Sequence, residues 1–144
     1  MLLDACADVN STTGTGDTAL HLAARCGHIK MVEFLLSRNA DLTARNEHDD
    51  TSLHLAARHG MVEVVKVLVE CLRTNADITL NKDGMTPLHL AAQVGSAEIV
   101  QILLLAWWRL RVDIAAKDGA GKTAVELAEE RGGPEVLKAL KDWR

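Results

Sequence analysis

Three histidines each stand three residues after a threonine: His21 after Thr18, His54 after Thr51 and His89 after Thr86. Imidazole is the commonest metal ligand and general base, so a histidine recurring in register is the first candidate for chemistry. A shared ion needs its ligands within about 2 Å of one point. One histidine per stacked unit would instead stand roughly 10 Å from the next, about one helix-pair thickness. The spacing therefore predicts histidines that hydrogen-bond to polar groups and join neighbouring units. His28, His48 and His59 fall on loop or surface positions with no Cys or carboxylate at ligand spacing. Gly119-Ala120-Gly121-Lys122-Thr123 suggests a phosphate-cradling turn, but that pattern needs a glycine where Ala116 stands, inside a βαβ unit that the flanking residues do not supply. No serine or cysteine sits in a recognisable nucleophile setting. The expectation is a protein that is not an enzyme, with no catalytic, cofactor-binding or metal-binding residues.

The elements that carry these residues are read from internal repetition. Thr18-Ala19-Leu20-His21-Leu22-Ala23-Ala24 recurs from Thr51, from Thr86 and, in decayed form, from Thr123, at steps of 33, 35 and 37 residues. Each block reaches a glycine nine residues after its threonine (Gly27, Gly60, Gly95, Gly132), then a second apolar segment, then an Ala-Asp or Val-Asp pair. The threonine suits the N-cap of a first helix and the glycine its left-handed end. Ile29, Val32, Leu35 and Leu36 recur at helical spacing, with Lys30 and Glu33 turned outward. Val62 to Val69 taken alone has the β-branched look of a strand, but its register with Ile29–Leu36 predicts a helix.

Composition agrees. The 144 residues carry 16 Lys plus Arg against 20 Asp plus Glu, a net charge of −4, and one Phe, three Trp and no Tyr. An acidic balance argues against a general nucleic-acid binder, and a core poor in rings suits thin, closely packed helices. The longest apolar run, Ile102 to Trp108, is far short of the ~20 residues of a membrane span. Cys6, Cys26 and Cys71 form neither an even set nor a CxxC pair, which predicts reduced thiols and a cytoplasmic or nuclear location without a secretory leader.

These motifs resemble the ankyrin repeat, whose 33-residue unit carries a T-P-L-H-x-A core. The resemblance covers nearly the whole chain and implies an all-α solenoid of stacked antiparallel helix pairs with β-hairpin-like loops. It divides residues 1–144, taken as one domain, into a partial repeat 1–13, repeats at about 14–46, 47–81 and 82–118, and a C-terminal capping repeat 119–144. Asn39, Asn75 and Asp49 stand where a glycine is usual, each tolerant of left-handed backbone; Cys6 is less suited and predicts a strained or frayed first turn. Three extra residues follow Leu68 and four follow Leu103. A helical turn is about 3.6 residues, so the second helices are expected to run one turn longer, through Cys71-Leu72-Arg73 and through Trp107-Trp108-Arg109-Leu110, with bulged loops as the alternative. Leu72, Trp107, Trp108 and Leu110 would then form an apolar patch or pack on one another. The chain starts mid-unit, which predicts a poorly covered face around Leu20 and Val32 and self-association through it.

For function, the resemblance implies a non-catalytic protein–protein interaction module that holds a protein partner in a concave groove lined by the first helices and hairpin tips. The positions concerned are Thr15, Asp17, Arg25 and Cys26 in the first full repeat, and Arg45, Glu47, His48, Asp50, Arg58 and His59 in the second. The third supplies Lys82, Asp83, Met85, Gln93 and Val94, and the fourth Ala120, Lys122, Glu130 and Arg131. Arg25, Arg58 and Arg131 would lie deeper than the tips, favouring partner carboxylates there. Alternatives are an inhibitor of an enzyme or transcription complex using the same groove, a self-associating segment, or an engineered repeat binder. The resemblance also implies a possible hydroxylation at Asn10, set in Leu2-x6-Asp-Val-Asn.

Overall fold

The computed structural model describes residues 8–72, 80–106 and 112–143. Among the described residues there are eight α-helices and no strand. They are α1 (Ala19–Cys26), α2 (Ile29–Ser37), α3 (Ser52–Arg58), α4 (Val62–Cys71), α5 (Pro87–Val94), α6 (Ala97–Leu105), α7 (Ala124–Leu127) and α8 (Gly133–Lys141), the last two joined by a π-helical turn at Ala128–Gly132. The odd-numbered helices stack on one another as an inner row and the even-numbered ones as an outer row, each pair packed internally. This is the solenoid the repeats imply.

Local chemistry fixes each pair. Thr18, Thr51, Thr86 and Thr123 are all extended, with φ between −82° and −88°, and each side chain accepts the backbone N–H three residues on. That satisfies a helix donor that would otherwise be orphaned. Ala23-Ala24, Ala56-Ala57 and Ala91-Ala92 are buried to 4% exposure or less, and methyl-sized side chains let the inner row pack closely. Val32 and Leu35, Val65 and Leu68, Val100 and Leu103, and Val136 and Leu140 are the matching outer-row core, none above 3% exposed.

Between pairs, four turns close in one register. The N–H of Thr13, Asn46, Asn81 and Asp118 donates to the carbonyl of Asp17, Asp50, Met85 and Lys122 at 2.8–3.1 Å. Gly16, Asp49, Gly84 and Gly121 supply the left-handed residue of these turns, Asp49 at φ 57°. One further backbone bond ties each tip to the next: Glu47 N to Thr15 O, Lys82 N to His48 O and Gly119 N to Asp83 O. A Cβ on Gly84 would come within 2.6 Å of the Gly119 nitrogen, so this approach requires glycine.

Four expectations are corrected. The second helices do not gain a full turn: α4 stops at Cys71 with Leu72 already extended (φ −70°, ψ 107°), and α6 stops at Leu105. Leu72 is 8% exposed and belongs to the core rather than to an open patch; Trp107, Trp108 and Leu110 lie outside the described residues, as do Cys6 and Asn75. Leu20 and Val32 are both fully buried, so the face expected to be uncovered is closed around them. In the fourth unit the positive φ falls on Gly133 rather than Gly132, because the π-helical turn takes up one extra residue before the second helix.

Candidate functional site

The inner row and the turns preceding it form a groove whose floor is set by two positions. One precedes the capping threonine (Asp17, Asp50, Met85, Lys122) and the other lies eight residues on (Arg25, Arg58, Gln93, Glu130). In the second unit these meet directly: Arg58 donates through Nη1 to Asp50 Oδ2 at 2.7 Å and through Nη2 to Oδ1 at 3.3 Å. Asp50 is wholly buried, while the Arg58 side chain stays 33% exposed. In the fourth unit the signs are exchanged, with Lys122 donating to Glu130. The third is neutral, with Met85 and Gln93.

A second network runs along the stack beneath the floor. Asn46 Nδ2 donates to Asp17 Oδ1 at 2.9 Å, and Asn81 Nδ2 donates to Asp50 Oδ1 at 2.8 Å. The same asparagines close their own turns, Asn46 Oδ1 accepting from the backbone of His48 and Asp50, and Asn81 Oδ1 from Asp83 and Met85. At the third junction Asp118 closes its turn alike, accepting from Ala120 and Lys122. It has no amide to send backward, and Met85 asks for none. Asp17 and Asp50 are therefore structural members of the groove wall. Burial raises the Asp17 carboxyl, but the hydrogen bonds from Asn46 and Thr15 outweigh it and hold the group below its ordinary range.

The three recurring histidines link the units. The Thr18 N–H donates to His21 Nδ1 at 3.1 Å, which requires the ring proton on Nε2, and Nε2 donates to the Asp50 carbonyl at 2.9 Å. His54 bridges Thr51 to the Met85 carbonyl and His89 bridges Thr86 to the Lys122 carbonyl in the same way. Both ring nitrogens are committed. Among the described residues, no three His, Cys, Asp or Glu side chains gather as a metal would require.

An open recess of roughly 500 Å3 brings together Asp17, Arg25, Glu47, His48, Asp50, Arg58 and His59, walled by Thr15, Leu22 and Leu55. A neighbouring recess of roughly 390 Å3 continues past Arg58 to Asp83, Met85, Leu90 and Gln93. Val94 is 47% exposed, and Cys26 is an exposed free thiol. Arg45 and Lys82 line neither recess, and neither do Ala120, Lys122, Glu130 and Arg131, which lie toward the other end of the stack. More than a third of His59 is exposed, yet burial of its groove-facing side lowers its imidazole pKa, and the Arg58 and Arg25 charges push it further down.

Two family profiles described as ankyrin repeats match the sequence, one of three copies over residues 1–82 and one of many copies over residues 68–128. The chain belongs to the ankyrin-repeat family. A comparison with curated proteins finds no match. Ankyrin repeats are in general protein–protein interaction modules and are typically non-catalytic. No helix among the described residues is long and apolar enough to cross a membrane. The ankyrin-repeat framework also explains what sequence inspection missed. Asn46 and Asn81 matter as much to the groove as the residues that point into it, and their equivalent placement four residues before Asp50 and Met85 was the available signal.

Proposed function

We propose that the chain is a non-catalytic adaptor that docks a protein partner in the groove formed by α1, α3, α5 and the turns before them, as one domain divided at about residues 13, 46, 81 and 118. The observation that carries this is the continuity of the two recesses through Arg58, whose guanidinium is held by a buried carboxylate and so presents its remaining N–H donors in a fixed direction. A pre-ordered donor surface loses little side-chain entropy on binding. The exposed free thiols of Cys26 and Cys71 suit a reducing cytoplasmic or nuclear setting. Leu20 and Val32 are themselves buried and offer no surface to a second copy. The test is amide and methyl NMR of the labelled chain with captured partner fragments: shifts concentrated on residues 13–25, 46–59 and 81–94 support the reading. Shifts confined to the outer row would refute it.

A further inference from the structure

We propose that the partner inserts an acidic side chain, carried on an extended segment beside an apolar residue, between Arg25 and Arg58, with the apolar residue lying over Met85. This rests on the groove reading above and names the chemistry that reading leaves open. Two of the three carboxylates of this recess do not face its mouth: Asp17 is 6% exposed and bonded to Asn46 and Thr15, and Asp50 is fully buried against Arg58 and Asn81; the third, Glu47, is half exposed beside His48. What an incoming segment meets is an exposed Arg25 with no ion-pair partner among the described residues, the outer edge of Arg58, and the His59 ring, with the His48–Glu47 pair (3.4 Å) at the rim. Guanidinium groups favour carboxylates through paired, charge-assisted hydrogen bonds. The adjoining recess has no ion pair at its two floor positions, because Met85 and Gln93 replace the Asp50 and Arg58 of the preceding unit, and its charged lining is Arg58 and Asp83. Beyond it the exchanged pair of Lys122 and Glu130 presents a carboxylate at the position arginine holds in the first two units. An acidic group is thus favoured at one end of the groove only, which sets the direction of the bound segment.

His59 supplies an independent readout. Its lowered affinity for protons comes from burial and from Arg58 and Arg25, opposed by Asp50; the recess also holds Asp17, Glu47 and His48. A carboxylate seated between the arginines offsets their charge, so at pH below the ordinary histidine value of 6.5 binding takes up a proton. A random twelve-residue peptide display library panned on the intact chain, followed by calorimetry of the enriched peptides, tests this. The expected result is enrichment of Asp or Glu next to an apolar residue, about a tenfold affinity loss in Arg25→Glu, none in the outer-row control Lys30→Glu, and proton uptake that His59→Gln abolishes. Groove-bound peptides without an acid, an unchanged affinity in a folded Arg25→Glu chain, or binding without proton uptake would overturn the inference and leave the groove reading intact. Peptides that map away from the inner row, or no enrichment, would overturn both.

Discussion

Ser52 is the residue least at ease in its surroundings. Its hydroxyl is buried and finds no hydrogen-bond partner among the described residues, whereas Ala19, Pro87 and Ala124 occupy the same position in the other units. A buried hydroxyl without a partner costs roughly 1–3 kcal/mol. Ser52→Ala is expected to raise stability by about 1 kcal/mol, read as a higher urea midpoint with an unchanged slope. Two titrating groups give signed pH effects. Asp17 has a lowered folded pKa, so its contribution is present above the ordinary value of 3.8 and is lost as pH falls through the folded one. The stability difference between the native chain and Asp17→Asn should therefore shrink below that value. His59 is also lowered, but as a base it disfavours folding once charged, so stability falls as pH drops below 6.5. His59→Gln should flatten that part of the curve in denaturation series from pH 7 to 5. An unchanged slope would show that the ring is not desolvated.

At the scale of elements, most of the architecture was legible because each unit states itself several times. The Val62–Val69 run, strand-like in isolation, forms α4 because the Thr51 cap, the left-handed turn at Gly60 and the buried Val65 and Leu68 hold it in the common register. What the sequence concealed was where extra residues go. Counting turns suggested longer helices after Leu68 and Leu103, but Leu72 is extended and keeps its burial by turning inward as the helix ends. In the fourth unit an extra residue enters as a π-helical turn. The histidine bridge belongs to this scale too. His54→Ala removes the ring that accepts the Thr51 N–H and donates to the Met85 carbonyl of the next unit, while that carbonyl keeps the Asn81 N–H, so a loss of about 1–2 kcal/mol is expected in thermal or urea unfolding. At the last unit Glu126 receives the Thr123 N–H at 2.7 Å and, lacking an N–H of its own, makes the cap without the bridge.

The molecule as a whole is close to one-dimensional, each unit resting on its neighbours alone, so its stability is a sum of unit and junction terms. The family register pointed to residues that line the two recesses, such as Arg25 and Arg58, and also to Arg45, Lys82, Ala120, Lys122, Glu130 and Arg131, which line neither; it gave no division into structural and outward-facing groups. Asp17 and Asp50 look like binding residues on the page and are wall residues in space, because Asn46 and Asn81 reach them from the following turn. Removing residues 81–117 would put Asp118 in the place of Asn81 and set it against Asp50, two carboxylates without an amide between them. That shortened chain is expected to be less stable than the loss of one unit explains, and Asp118→Asn should restore about 1–2 kcal/mol by equilibrium unfolding. An equal effect of Asp118→Asn in the intact chain would exclude this account.

Seen this way, the side chains behind each turn act as a compatibility rule for neighbours. Duplication or recombination of such units can join an asparagine-bearing segment behind an aspartate-bearing one at little cost, whereas the final segment disfavours an aspartate-bearing predecessor. The order of the units is thus written into their seams, and a lineage that shuffles them can do so freely near one end and hardly at all near the other.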